Sequence, residues 1–143
     1  MSNPLTELLT ERDYLLADGA TGTNMMAMGL PAGQAADLWN LDAPEKVTRL
    51  HNNFLEAGAD ILLTNTFSSN QYRLCLDNAQ HLTTDINVAA ARLARSAGES
   101  AGRPVIVAGS MGPSGELMEP HGTMDHDAAV AAFTEQANAL AEG

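Results

Sequence analysis

The side chains best placed to do chemistry sit where three apolar runs end. Residues 58–67 read Gly-Ala-Asp-Ile-Leu-Leu-Thr-Asn-Thr-Phe. A helix-stopping glycine leads into an apolar run suited to a strand buried on both faces, and a cluster of hydroxyl and amide groups follows. A second polar cluster, Asp18-Gly19-Ala20-Thr21-Gly22-Thr23, follows the short apolar run 14–17. A third, Gly109-Ser110-Met111-Gly112-Pro113-Ser114-Gly115, follows 104–108. Carboxylate, hydroxyl and amide groups on Gly-bearing loops suit a small polar ligand, because glycine lets the backbone approach it closely. In parallel α/β folds, ligands bind at the carboxyl ends of the strands. The 18–23 turn lacks both the G-x-G-x-x-G spacing and the Gly-Lys-Ser/Thr of a P-loop, and no helix is clearly docked behind it. Nucleotide binding therefore ranks below small-molecule binding.

The other reactive residue types carry weaker signals. Asp18 at a strand end either orients a substrate amine or braces its own turn. His51 falls inside a helix and reads as a core histidine. His121 and His126 stand in a loop-to-helix segment at a spacing that matches metal ligands poorly. Cys75 is the only cysteine; it forms no internal disulfide and reads as a small buried hydrophobe. Met25, Met26, Met28, Met111, Met118 and Met124 lie in or near strand-end loops. Their thioethers would suit a sulfur-containing substrate, although gap-filling is the commoner role.

The elements that must position these groups recur. Strands are expected at 14–17, 59–63 and 105–108, beginning about 45 residues apart, each followed by a polar loop and a helix. The first helix starts at Asp42-Ala43-Pro44-Glu45, where Asp42 and Glu45 would form a capping box. Its stripe is Val47, Leu50 and Phe54, and it stops at Gly58. The second runs from about residue 85 with Ile86, Ala90, Leu93 and Ala97 on one face. Asp125 caps the third, whose stripe is Val130, Phe133, Ala137 and Leu140. Residues 2–13 read as a helix around Leu5, Leu8 and Leu9, and 68–83 as a polar connection. Strand–helix alternation predicts a parallel sheet, either doubly wound or part of a (β/α)₈ barrel. A barrel takes about 250 residues. On the barrel reading, residues 1–143 would be one partial barrel domain, truncated before strand four; on the other they would be an open sheet.

Charge narrows the partners. The net charge is −11 with a single lysine, Lys46. That excludes the clustered positive surface which nucleic acids and anionic membranes require. No basic-then-apolar leader opens the chain, and no apolar run approaches the ~20 residues that span a bilayer. The expected location is cytoplasmic.

Four segments then carry a resemblance. They are Asp18-Gly19-Ala20-Thr21-Gly22-Thr23; Leu38-Trp39-Asn40 with Pro44-Glu45; Ala57-Gly58-Ala59-Asp60 running into Thr64-Asn65-Thr66-Phe67; and Gly109-Ser110-Met111-Gly112-Pro113. Their order and spacing resemble the homocysteine S-methyltransferase family, which includes betaine–homocysteine methyltransferases and the homocysteine module of cobalamin-dependent methionine synthase. The bacterial betaine-type branch is the most similar. The resemblance implies an α/β fold made of the N-terminal three βα units of a (β/α)₈ TIM barrel with parallel strands. It implies zinc-dependent methyl transfer from betaine or a related donor to homocysteine, giving methionine. A free thiol has a pKa near ~8.5, and zinc coordination removes its proton at neutral pH.

By the same resemblance, Asp18, Gly19, Thr64, Thr66 and Ser110 fall on the homocysteine side of the pocket. The family's zinc ligands are three cysteines of later strands, so the chain is expected to hold no metal ligand and no catalytic residue. Alone, it should neither bind stoichiometric zinc nor turn over homocysteine, and its open strand edges would favour aggregation or a homo-oligomer. Thr64→Val is expected to weaken homocysteine binding with little change in stability. For a quaternary ammonium donor, the nearby aromatics are Trp39, Tyr72 and Phe67. The alternatives are a non-catalytic small-molecule-binding α/β fragment, the cobalamin-dependent module, and an unrelated nucleotide-binding domain.

Overall fold

Parallel pairing of two short strands organises the chain, whose computed structural model describes residues 3–143. Strands β1 (Ile61–Leu63) and β2 (Ile106–Ala108) pair with Ile61 opposite Ile106 and Leu63 opposite Ala108. On the other edge of β1, Ala17 makes an isolated parallel bridge to Ile61. Spatial order thus follows chain order. That is the arrangement of successive βα units, and the 106 strand does not lie beyond residue 17 as a doubly wound sheet would place it. The strand expected at 14–17 is reduced to this bridge. The Leu16 carbonyl accepts from Asp60 N at 2.7 Å and Ile61 N at 3.1 Å, and Asp18 N donates to the Ile61 carbonyl at 3.0 Å. Beyond that point the Asp18 carboxylate, rather than a backbone carbonyl, accepts the Leu63 N–H. Tyr14 stands exposed.

The helices mostly follow local chemistry. Asn3 caps α1 (Pro4–Glu11) by accepting from Leu5 N. Helix α2 (Thr21–Ala27) begins inside the Gly-rich turn, where no docked helix was expected, and its cap residue Ala20 sits at φ 49°. A 3-10 turn at Ala36–Leu38 runs into α3 (Trp39–Asp42), followed by α4 (Pro44–Glu56). The expected capping box does not form. Asp42 is used as the last residue of α3, and the cap of α4 is Ala43, with no side-chain bond. Helix α4 ends as expected: Ala59 N donates to Phe54 O and Gly58 N to Leu55 O, a Schellman closure with Gly58 at φ 98°. Helix α5 (Gln71–Leu74) occupies part of the polar connection, α6 (Thr83–Glu99) packs between α4 and α7, and α7 (His126–Glu142) is capped by Asp125 through Ala128 N.

Met25, Leu30, Trp39, Val47 and Leu50 form one buried cluster, against which Phe54 and Leu93 pack; Leu74, Ala79 and Ile86 form another. Met25 is therefore core filling. The stripe of α7 is rotated from the expected one: Ala132, Gln136 and Ala139 are buried, while Val130 and Ala137 are exposed. Small residues win because α7 lies close against the alanine-rich face of α6, where a Cβ on Gly143 would stand 2.5 Å from the Val88 carbonyl. Cys75, expected in the interior, is exposed on the short turn after α5. Among the described residues no helix is long and apolar enough to cross a membrane.

At the amino ends of the strands, Asp60 acts as a clamp. Its carboxylate accepts from Leu16 N at 3.0 Å, Arg12 at 2.6 Å and Arg103 at 3.3 Å, while Arg103 also donates to the Leu55 and Ala59 carbonyls. The Leu16 N–H, then the two guanidiniums, hold the Asp60 carboxyl below its ordinary value. Its contribution is present above the unfolded pKa and is lost as pH falls through the folded one.

His51 behaves oppositely. It is 1% exposed with both ring nitrogens unpartnered among the described residues, and burial lowers its pKa to about 4 from 6.5. The unfolded chain then binds the proton first. The His51 contribution to stability should fall as pH drops from 6.5 to about 4, by roughly 3 kcal/mol, and flatten below. Denaturant titration across that range should show the native chain losing more stability than His51→Leu, the difference being the His51 contribution. An identical slope in both would contradict the assignment.

Candidate functional site

The carboxyl ends of β1 and β2 are locked together by hydroxyl groups. Ser110 N donates to Thr64 Oγ1 at 2.9 Å, Thr66 Oγ1 donates to the Ser110 carbonyl at 2.7 Å, and the two threonine oxygens lie 2.6 Å apart. A hydroxyl has one proton, and a carbonyl can only accept. The Thr66 proton is therefore committed to Ser110 O, which makes Thr64 the donor in the Thr64–Thr66 bond. Both hydroxyl protons are engaged within the clasp, and only lone pairs remain for anything outside it. Thr64 is 4% exposed and Thr66 not at all. Two further ties reinforce the junction. Gly112 N donates to the Phe67 carbonyl at 3.0 Å, and Asn70 Nδ2 to the Pro113 carbonyl at 3.3 Å. Position 112 requires glycine, since a Cβ there would come within 2.3 Å of the Phe67 carbonyl oxygen.

Above the clasp is a cavity of about 400 Å³, lined by residues 19–22, by Ala36 and Asp37, by residues 63–68 and by Ser110. Four residues expected to share a ligand, Gly19, Thr64, Thr66 and Ser110, thus border one space. Asp18, the fifth expected residue, is not among the lining residues and connects to the cavity only as the chain neighbour of Gly19. The Asp18 carboxylate accepts the Leu63 N–H at 3.0 Å through Oδ2, while Oδ1 is buried without a partner among the described residues. Burial raises the Asp18 pKa, opposed by the Leu63 N–H. A half-satisfied buried carboxylate is the kind of acceptor that a cationic ligand group completes.

Asp37 is a wall residue that sequence reasoning did not single out. It is 5% exposed, and its Oδ1 accepts from Ser68 N at 2.9 Å and Ser69 Oγ at 2.7 Å. Burial raises its pKa, opposed by the Ser69 hydroxyl and the Ser68 N–H. Asn40 donates to the Asp37 and Asn65 carbonyls, and Asn65 returns a bond to the Ala36 carbonyl. The 3-10 turn and α3 thereby fix the loop after β1. The available signal was an acid and an amide three apart in an otherwise apolar Ala-Asp-Leu-Trp-Asn run.

Of the aromatics considered for a cationic donor, Phe67 alone borders the cavity; it is 60% exposed. Trp39 is in the core, with Lys46 Nζ 4.2 Å from its ring centroid, so that face is already taken. No methionine is among the cavity-lining residues; Met111 borders a different groove, beside β2. Among the described residues, no group of three or more His, Cys, Asp or Glu side chains stands close enough to hold a metal.

Comparison with known proteins adds the family context. A family model described as homocysteine S-methyltransferase matches residues 15–143. Solved structures of the homocysteine methyltransferase MmuM from Escherichia coli are similar in three forms. The oxidized form matches at 27% identity and a TM-score of 0.80 over 99% of this chain, the metallated form at 27% and 0.79 over 98%, and the apo form at 26% and 0.69 over 98%. The chain covers 53%, 54% and 49% of those chains, so it spans about half the length of the structures it matches. The fold is α/β with a parallel two-stranded sheet, similar to a TIM-barrel-type methyltransferase.

The clasp revises the expectation for Thr64→Val. Valine keeps the shape but leaves the Ser110 N–H without its acceptor and Thr66 Oγ1 without its donor, so stability should drop by about 1–3 kcal/mol. Thr64→Ser should retain most of it. Denaturant unfolding checks both, and a Thr64→Val chain as stable as the parent would contradict the clasp.

Proposed function

The chain belongs to the homocysteine S-methyltransferase family, and from that premise we propose that residues 1–143 form the homocysteine-holding part of a methyl-transfer site. In this reading they are the first three βα units of a (β/α)₈ barrel domain in a cytoplasmic enzyme. The full-length natural protein would transfer a methyl group from betaine or a related donor to homocysteine, giving methionine. The observation that carries the reading is the convergence of Gly19, Thr64, Thr66 and Ser110 on one cavity; the half-satisfied carboxylate of Asp18 belongs to the residue before Gly19 and is not part of the lining. Sequential order of residue 17, β1 and β2 supports the barrel.

Homocysteine carries an ammonium, a carboxylate and a thiol. Asp18 is assigned to the ammonium, because its Oδ1 lacks a partner and a cation restores the charged form that burial disfavours. The Thr64–Thr66 clasp offers lone pairs only, which suits donors on the ligand and opposes its carboxylate. Ser110 supplies a hydroxyl outside the clasp. The zinc that the family resemblance implies finds no ligand set among the described residues. Its ligands are assigned to the part of the relatives' length outside the match, and this chain's share of the reaction is to bind and orient the amino acid. No residue here is given the task of deprotonating the thiol.

Calorimetric titration of the full-length natural protein with L-homocysteine tests the reading. Binding should weaken about tenfold or more in Asp18→Asn. In the parent, binding should fade as pH drops through the raised pKa of Asp18, because the carboxylate must be ionised to hold an ammonium. Unaltered affinity in Asp18→Asn removes Asp18 from the site, and the absence of any homocysteine binding by the parent rejects the function.

A further inference from the structure

Gln136 sits in the middle of α7, 0% exposed, at a helix position where an apolar side chain would bury more cheaply. Both of its amide hydrogens are directed at acceptors: Nε2 lies 2.9 Å from the Thr66 carbonyl and 3.2 Å from Asn87 Oδ1. Asn87, on α6 and also 0% exposed, donates from Nδ2 to the Ser69 carbonyl at 2.8 Å and the Thr83 carbonyl at 2.7 Å. The amide orientations are thereby fixed, since a flipped Gln136 would set its oxygen against the Thr66 carbonyl. Two amides from two helices thus hold both ends of the loop at residues 66–69. The arrangement leaves Gln136 Oε1 buried without a partner among the described residues. Among the described residues Gln136 is the one donor to the buried Asn87 Oδ1, while the Thr66 carbonyl also accepts from Ser69 N at 3.1 Å, so the amide braces the 66–69 loop at the cost of its own unpaired oxygen.

We propose that Gln136 is a positioning residue of the homocysteine site, acting through Thr66 on the clasp that presents Ser110. The proposal rests on the functional reading above. Gln136 touches the carbonyl of the residue whose hydroxyl grips the Ser110 carbonyl, and Thr64, bonded to that hydroxyl, grips the Ser110 N–H. Displacing Thr66 therefore loosens Ser110 from both sides, although Gln136 itself does not border the cavity.

The test uses the full-length natural protein and Gln136→Met, which keeps length and volume while removing both donors. Thermal stability should fall, because the buried Asn87 Oδ1 loses its donor, and Ser110 exchange is therefore read against that of amides outside the clasp. The Ser110 amide should exchange its hydrogen about tenfold faster. Affinity for L-homocysteine should fall about tenfold, appearing as a raised KM with little change in kcat. Gln136→Glu provides a second arm that does not depend on how the methionine variant folds. Its carboxylate repels the Thr66 carbonyl, but its protonated form regains one donor, so its homocysteine affinity relative to the parent should recover as pH is lowered. Unchanged Ser110 exchange in a folded variant overturns the proposal, as does faster exchange with unchanged homocysteine affinity. A parent protein that fails to bind L-homocysteine instead sinks the functional reading, and Ser110 exchange then judges the coupling by itself.

Discussion

Three contacts of 2.6 to 2.9 Å between Thr64, Thr66 and Ser110 are the constraint on which the site depends. Two three-residue strands make few ladder bonds, too few to hold the loops beyond them in register. Hydroxyl groups extend the pairing by side chain where the backbone ladder ends. Asp18 does the same on the other edge of β1, accepting the Leu63 N–H after the bridge at Ala17. The sheet therefore continues as a side-chain lattice, and this lattice forms the wall of the cavity. Such buried polar networks are stable only when nearly every group is paired. The atoms left over, Asp18 Oδ1 and Gln136 Oε1, are accordingly informative.

Much of the framework was legible in the sequence. The spacing of strands, the closure of α4 at Gly58 and the capping of α7 by Asp125 follow from local chemistry, which depends on residues a few positions apart. Convergence of Gly19, Thr64, Thr66 and Ser110 was legible too, because parallel strand ends share a side of the sheet. What escaped was set by tertiary competition. Asp42 could not cap α4 because α3 had already taken it. The stripe of α7 rotated toward Ala132, Gln136 and Ala139 because close approach to α6 favours small residues over Val130. Asp37, Asn87 and Gln136 look like ordinary polar residues in sequence; their carbonyl and hydroxyl partners are mostly 18 to 70 positions away. Cys75 was misplaced because a residue type's average burial does not say where a short turn will point.

The two ends of the strands divide the work. At the amino ends, Asp60 with Arg12, Arg103 and the Leu16 N–H ties the chain together by charge. At the carboxyl ends the network is neutral apart from the raised-pKa acids Asp18 and Asp37. Those two carboxylates differ in how they are held: Asp37 takes two donors on Oδ1, whereas Asp18 takes one on Oδ2 and its Oδ1 is buried without a partner among the described residues. Asp37 therefore reads as a brace for the loop after β1, and Asp18 as the acid that a ligand completes.

The central claim is that this cavity receives homocysteine through Asp18. A crystal structure of the full-length natural protein with L-homocysteine tests it most directly. The account predicts the amino acid between Gly19, Thr64 and Ser110, with its ammonium within hydrogen-bond distance of the Asp18 carboxylate and the Thr64–Thr66–Ser110 clasp intact. Homocysteine bound elsewhere, or held in this cavity with no contact to Asp18, would contradict it.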